Sequence, residues 1–521
     1  MLAADAGYLK LIELGIALSA ERNFKRLMEM ILLGAKDLCR ADGGTLYLRE
    51  GDFLRFAILR NDSLNTAMGG TTGKEIPFPP LRLYDEEGKE NHKNVSTSVA
   101  LTGRMVNIED AYDVERYDFT GTKKFDAGTG YRSKSFLTVP LKNHKEEVIG
   151  VLQLINAISP SGEVVSFGKD LERLIEALSS QAAIALDNQQ LLEAQKNLLE
   201  SFIKVIAGAI DAKSPYTGGH CQRVPVITQM LAQAAVECQE GPFKDFTLDE
   251  DDWYELHIAA WLHDCGKVTT PEHVVDKATK LETIYDRVHE VRTRFEVLKK
   301  DAEIAYLKGV VAGGDEVTLR AGRDAVVKQL DEDRAFIETI NVGGEFMAPD
   351  KVERLKRIAA LRWTNPEGQE APFLTENEVY NLSIARGTLT EEERKVINDH
   401  IVLTIDMLGQ LPFPPHMRHV VEYAGGHHEK MDGTGYPNKL LREQLSLPAR
   451  IMAIADIFEA LTAADRPYKK GKTLSETIKI MSFMKKDKHI DPDLFELFLE
   501  TGVWKKYAEQ FMKPEQIDEV D

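Results

Sequence analysis

Cysteine is scarce in this sequence. Four occur in 521 residues, Cys39, Cys221, Cys238 and Cys265, and none belongs to a CxxC pair. That spacing excludes a disulfide framework and a thiolate zinc site, and fits a reducing compartment. No uncharged run of about 18 apolar residues is present, and no charged N-terminal segment precedes an apolar one. The expectation is a cytoplasmic protein without a membrane partner. Positive charge is also in deficit, with 65 Lys and Arg against 84 Asp and Glu and a formal net charge of −19. A nucleic acid polymer is therefore no natural partner, and any phosphate-bearing ligand must be met by local cations. What remains is ordinary for a folded soluble protein: 43% hydrophobic, 29% charged and 8% aromatic residues. The length suggests about three domains.

Residues 20–170 alternate between helical and strand periodicity. The segment Glu21–Arg40 carries Phe24, Leu27, Met30, Ile31 and Ala35 at helical spacing. Strands are expected at Thr45–Arg49 and Phe53–Leu59 around the turn Glu50-Gly51-Asp52, and at Ser135–Leu141 and Val148–Asn156 around Asn143–Glu147. From Leu171 to Ile206 there is no proline, and Leu171, Leu178, Ala185, Leu192 and Leu199 recur every seven residues. This reads as a connecting helix able to pair with a second copy, or to pack on its own domain. Beyond Pro215 the pattern is helix after helix. The 3-4 spacing of Leu281, Ile284, Val288, Val291, Phe295 and Leu298 predicts a second long helix from Lys277 to about Ala302, within an inserted helical hairpin at about 273–374.

The histidines cluster. His263-Asp264 and His427-His428-Glu429 lie in otherwise apolar surroundings, which suggests metal. An imidazole offers one nitrogen, whereas a carboxylate can bridge two cations, so such sets suit a binuclear centre of iron, manganese or zinc.

Together, His263-Asp264 and the run from His427 to Pro437 (HHEKMDGTGYP) resemble the paired signatures of the HD-GYP family of HD-type metal phosphohydrolases. Further matches are Ser214–His220, Gly387–Thr390 leading to His400, Ala455-Asp456 and Asp465–Tyr468. The resemblance covers about 207–500, apart from the insertion. It implies an all-α helical bundle that hydrolyses cyclic di-GMP to pGpG or GMP with two divalent metals, iron or manganese. By the same resemblance His220, His263, Asp264, His400, His427, His428 and Asp456 are metal ligands, with Asp264 bridging. His263, Asp264 and Lys267 would be catalytic, and Lys267, Tyr436, Arg466, Lys469 and Tyr216 would hold the substrate. The family usually has a shorter gap between the HD aspartate and the next ligand. His400 is preferred over His289 because it follows the matching Gly-Thr-Leu-Thr segment. Relatives with a third metal carry Glu where this chain has Tyr216, so two ions are expected.

The N-terminal part, with Phe125-Asp126, Gly130–Ser135 and Val148–Asn156, is similar to a GAF domain, an α/β sensor fold. Its ligand is open, because the signature of cyclic-nucleotide-binding members is missing after Asn156. The expected architecture is a GAF sensor at 1–170, a connecting coiled-coil-like helix at 171–206, an HD-GYP domain at 207–505 and a tail at 506–521. The expected function is a GAF-regulated, homodimeric cyclic di-GMP phosphodiesterase, with a diguanylate cyclase as a partner of the Gly435-Tyr436-Pro437 loop. The rival readings are a catalytically weak cyclic di-GMP receptor and a hydrolase of another cyclic dinucleotide such as cyclic GMP-AMP.

Overall fold

Strands that are apolar at nearly every position need cover on both faces, with alternate side chains serving opposite cores. The first of two units shows this arrangement. The computed structural model describes residues 2–213, 219–344, 346–464 and 471–520, with side chains from residue 7. It divides into Met1–Leu198 and Leu199–Asp521. In the first unit the strands are β1 (Ala41–Glu50), β2 (Phe53–Asn61), β3 (Thr66–Gly69), β4 (Leu81–Arg82), β5 (Val106–Ile108), β6 (Phe136–Lys142), β7 (Val148–Ile158) and β8 (Val164–Val165). They form one antiparallel sheet in the order β3-β2-β1-β7-β6-β5, with β4 on β2 and β8 on β7. Both expected hairpins are present, and Glu50 pairs with Phe53 across the predicted turn.

Leu46, Leu48, Leu152 and Leu154 point to one face, where Leu27, Ile31 and Ala35 of the helix Phe24–Cys39 cover them. That helix starts where Asn23 accepts from Arg26 N, and ends at Arg40 in the left-handed conformation. Tyr47, Phe136 and Val151 point to the other face, against Val95 and Val99 of the helix Val95–Thr102. An additional helix, Leu2–Ala20, contributes Leu11 and Leu18 to the first face.

The long helix is Lys169–Lys213. Its seven-residue seam is not of one kind. Ile175, Leu178, Ala182 and Leu186 are buried in the core of the first unit, with Leu171 and Ala185 packed against it. Leu191, Leu192, Leu198, Leu199, Phe202, Val205 and Ile206 are exposed. The first half of the seam therefore serves its own domain.

In the second unit the helices His220–Glu237, Glu250–Leu262, His400–Gly409, Val420–Gly425 and Leu447–Thr462 surround a core that includes Val224, Leu231, Leu256, Val420, Met452 and Phe458. The expected tail at 506–521 is part of this bundle. Tyr507 and Ala508 are buried, and Gln516 Nε2 donates to Thr462 O and Lys472 O. Apolar residues inside an acidic segment hold it to the core.

The insertion is helical but more than a hairpin. Val288–Val311 and Glu316–Asn341 are followed by the helix Pro349–Ala359 and a two-stranded ribbon, Arg362–Thr364 with Glu370–Pro372. The first helix begins at Val288 rather than Lys277, which leaves Ile284 exposed despite its place in the apolar spacing. Residues 277–287 form turns that Lys280 anchors: its ammonium is buried and donates to Leu382 O and Ile384 O at 3.1 and 2.7 Å. This module has its own core, centred on Phe295 and Phe373 with ring centroids 4.5 Å apart.

The Phe295→Ala variant should lose about 3–5 kcal/mol of stability in the insertion. Because the Phe295 core holds none of the clustered histidines, metal content should stay at the wild-type level. Chemical denaturation together with elemental analysis measures both.

Candidate metal centre

Five short structural decisions bring the histidines together. His220 opens the helix His220–Glu237 after Gly219, which sits at a φ of 82°. His263 ends the helix Glu250–Leu262, and Asp264 begins the tight turn Cys265–Thr269 that carries Lys267. The helix Glu391–Asn398 starts at a capping box between Thr390 and Glu393, and leads directly into His400 at the head of the next helix. His427 and His428 follow the helix Val420–Gly425. Asp456 lies on the helix Leu447–Thr462, whose start is capped by Ser446 and whose face Ile451, Met452, Ile454 and Phe458 is buried. Gly266 has to be glycine for this assembly, because a Cβ there would collide with His400 O and Thr404 N.

The seven expected ligands converge. Asp264 Oδ2 lies 3.2 Å from His220 Nε2 and 3.3 Å from His263 Nε2, while its Oδ1 lies 3.2 Å from His400 Nε2. Asp456 Oδ1 is 3.3 Å from His220 Nε2. His428 Nε2 is 3.2 Å from His400 Nε2, and His263 Nε2 is 3.3 Å from His220 Nε2. The donors fall into two groups, His220, His263 and Asp264 on one side and His400, His427 and His428 on the other. The single carboxylate of Asp264 faces both.

The outer nitrogens explain why the inner ones are bare. Nδ1 of His263 bonds Ala260 O at 2.8 Å, that of His427 bonds Ala424 O at 2.7 Å, and that of His400 bonds Ile397 O. A carbonyl only accepts, so each neutral ring keeps its proton on Nδ1 and turns an Nε2 lone pair inward. His427 Nε2 and Asp264 Oδ1 are buried and have no hydrogen-bond partner among the described residues. Such a set of lone pairs and carboxylate oxygens fits a divalent cation.

Electrostatics agree with that fit. Burial disfavours the ionised carboxyl of Asp264, but Lys267 and His263 outweigh it and hold the group well below its ordinary range. Asp456 is likewise held down, with His220 and His263 overcoming burial. Burial pushes His427 down to about 4, helped by the charge of His263, so this ring is a neutral ligand at pH 7. For His263, burial is opposed and overcome by Asp264 and Asp456, which push it up to about 9. A proton there performs the task a metal cation would otherwise perform.

Lys267 Nζ lies 2.5 Å from Asp264 Oδ2, and its side chain is partly exposed. Tyr436 stacks on His428 with centroids 4.9 Å apart and an interplanar angle of 22°. Burial raises its phenol to about 12, so it is a neutral donor at pH 7. Tyr216, Arg466 and Lys469 lie outside the described residues. His289 is exposed on the helix Val288–Val311, away from the donor groups, and His273 and His416 are exposed as well. His419 pairs with Glu255 at 3.1 Å.

Two buried carboxylates escaped the sequence reading. Glu459, one turn after Asp456, bonds His220 Nδ1 and pairs with Arg223 at 2.6 Å. Glu429 accepts from Asn438 N at 2.7 Å and Leu440 N at 3.0 Å, which ties the Tyr436 loop back onto the histidine pair. The loop also lies against Glu429 at Gly435, where a Cβ would strike the Glu429 and Lys430 backbone. The signal for Glu459 was its i+3 position from a ligand on a helix whose opposite face is apolar.

Replacing Glu459 with Ala should release His220 from its orientation and remove the buried carboxylate that pairs with Arg223. Metal affinity should fall about 10–100-fold, as read by metal titration of the chelator-stripped protein. Wild-type affinity would mean that His220 needs no outer partner.

Comparison with known proteins matches residues 23–186 to the GAF domain family and residues 375–494 to the HD domain family. The HD match includes His400, His427, His428 and Asp456 and begins beyond His220, His263 and Asp264. The chain is 38% identical over 326 residues to a 3'3'-cGAMP-specific phosphodiesterase of Vibrio cholerae, covering 62% of this chain and 42% of that protein. It is 46% identical over 80 residues to a cyclic di-GMP phosphodiesterase of Pseudomonas aeruginosa, covering 15% of this chain and 19% of that protein. The chain thus spans less than half the length of these curated relatives. Among the described residues no helix is long and apolar enough to cross a membrane. HD domains are metal-dependent, and the donor set fits that chemistry. The matched segments thus give an α/β GAF domain, followed by a helical region and a mostly helical HD domain.

Proposed function

We propose that this protein is a metal-dependent phosphodiesterase of the HD-GYP type that hydrolyses a cyclic dinucleotide, with cyclic di-GMP as substrate. The observation that carries the reading is the pair of donor groups joined by the two oxygens of Asp264. The alternative substrate is cyclic GMP-AMP, favoured by the likeness to a cGAMP-specific enzyme over the longer stretch.

Two divalent cations, iron or manganese, would be held by His220, His263, Asp264, His400, His427, His428 and Asp456. When bound they lower the pKa of a coordinated water and polarise the phosphoryl oxygen. The remaining work falls to the chain. Asp264 turns one oxygen toward each donor group and so sets their spacing. Lys267 holds its ammonium beside Asp264, where it neutralises a substrate phosphate in a strongly acidic protein. Tyr436 presents a neutral phenol and a ring face beside His428. Glu429 keeps that loop in place, and Glu459 keeps His220 in place. No side chain has to act as nucleophile.

The exposed stripe at 191–206 supports a homodimer paired along the second half of the long helix, since seven apolar residues in sixteen positions otherwise face water. Pairing there gives the GAF domain a route to regulate hydrolysis. The free cysteines support a cytoplasmic location.

Purified protein loaded with manganese or iron should linearise cyclic di-GMP, and chelation should stop it. Asp264→Ala should lower turnover by about 10²–10³-fold or more together with metal content. A panel of cyclic di-GMP, cyclic GMP-AMP and cyclic di-AMP ranks the substrates. Retained turnover at normal metal content in the variant would sink the assignment of Asp264.

Leu192→Glu combined with Leu199→Glu should convert the dimer to monomer in sedimentation. An unchanged dimer would place the interface elsewhere.

A further inference from the structure

The sheet of the first unit carries a cavity of about 380 Å³ on the face opposite the helix Phe24–Cys39. Its floor includes Thr45, Tyr47, Phe136, Gln153 and Ile155, and Phe56, Phe78, Phe119 and Phe125 add rings around it. Tyr47 and Phe56 lie 4.7 Å apart, Phe56 and Phe78 5.5 Å, and Phe119 and Phe136 5.2 Å, so ring faces and edges line much of the space. Such a lining selects flat apolar ligands.

Its charges decide the class. Among the described lining residues Arg60 is the single Lys, Arg or His. Its guanidinium already has protein partners: Nη1 donates to Leu59 O at 2.8 Å and Met68 O at 2.7 Å, and Nη2 pairs with the carboxylate of Glu29. The helix start beside the cavity, the usual substitute for a cation, is also closed. Asn94 Oδ1 already accepts from Ser96 N at 2.8 Å and Thr97 N at 3.4 Å. At the start of a second helix, Thr120–Thr129, Asp118 Oδ1 accepts from Thr120 N at 2.9 Å, and its carboxylate sets negative charge against an anion approaching Gly121 and Thr122. A phosphate entering here would shed its hydration and meet no available cation. Gln153 offers polar recognition on the sheet. Its Nε2 donates to Ser96 Oγ and Thr138 Oγ1, both at 3.2 Å, which fixes the amide. Its Oε1 faces Tyr47 at 3.5 Å, a long contact that leaves acceptor capacity for a ligand N–H.

We propose that this cavity is a binding site for an uncharged planar heteroaromatic compound bearing an N–H donor, and that it rejects cyclic nucleotides because of their phosphate. The proposal is independent of the activity assigned to the second unit.

The test uses the full chain and the neutral fluorophore N-phenyl-1-naphthylamine, competed by indole, adenosine and guanosine, and by cyclic AMP and cyclic GMP. Each cyclic nucleotide shares its base with a nucleoside, so the pair isolates the phosphate charge. Fluorescence should rise to saturation at one site per chain, and at least one neutral heterocycle should reverse it. Neither cyclic nucleotide should do so at equal concentration. Phe125→Ala, which removes an exposed ring at the cavity edge, should weaken the fluorophore about fivefold. Glu29→Ala, which removes the acceptor of Arg60 Nη2 together with its neutralising charge, should allow cyclic AMP to compete. Displacement from the wild-type chain by cyclic AMP or cyclic GMP as effective as by the nucleosides would overturn the proposal. So would unchanged binding in Phe125→Ala, or absence of saturable binding or of any displacement in a chain that melts normally.

Discussion

Imidazole lone pairs that face one another at 3.2 and 3.3 Å beside buried carboxylates require positive charge between them, and the second unit is arranged around that requirement. The backbone carbonyls of Ala260, Ile397 and Ala424 hold the outer nitrogens, so the inner ones have no freedom to turn away. Without a metal, protons drawn onto His220 and His263 by Asp264, Asp456 and Glu459 supply part of the charge. The same geometry that makes the site demanding makes it selective for cations accepting mixed nitrogen and oxygen donors.

Around this centre the scaffold is built to be stiff. Gly266 lets the Asp264 turn press against His400, and Glu459 links the His220 helix to the Asp456 helix across 239 positions of sequence. The loop carrying Tyr436 is held from inside by Glu429. On its outer side Arg442 pairs with buried Asp491 at 3.0 Å. A loop fastened at both ends can present an aromatic ring to a ligand without ordering it at the moment of binding. The insertion stands apart from this stiffness, with its own core around Phe295 and Phe373. This explains how a segment of about a hundred residues separates Asp264 from His400 without disturbing the pair.

The first unit uses the sheet in two ways. One face is closed by leucines and by the buried half of the long helix, and the other leaves a cavity among aromatic rings. The change in character along Lys169–Lys213, from buried Leu178 and Leu186 to exposed Leu192 and Val205, follows where packing on the first unit ends, and Ile203, Ala207 and Ile210 are buried in the core of the second.

Much was legible in the residues themselves. Short apolar runs on either side of the polar turns Glu50-Gly51-Asp52 and Asn143–Glu147 indicated the hairpins, because a run of that length bounded by turn residues suits a buried strand. The clusters His263-Asp264 and His427-His428 indicated a cation site, because their side-chain chemistry is local to the residue, whereas His220, His400 and Asp456 were implied by the family resemblance alone. The long helix was visible, but which of its leucines are buried was not. A heptad reads the same whether the partner is the chain's own sheet or another copy. Ile284 fits an apolar spacing yet lies in a turn, since the buried ammonium of Lys280 and the carbonyls it binds come from segments a hundred residues apart. The roles of Glu459 and Glu429 were hidden for the same reason: a carboxylate becomes a positioning group only when folding brings its acceptor atoms to a particular ring or loop. The sequence by itself determined which donors and which periodicities the chain possesses. Tertiary structure decided which donors share one centre, which apolar residues are covered and which charges are already paired, because distance, burial and pairing are properties of residues remote in the chain.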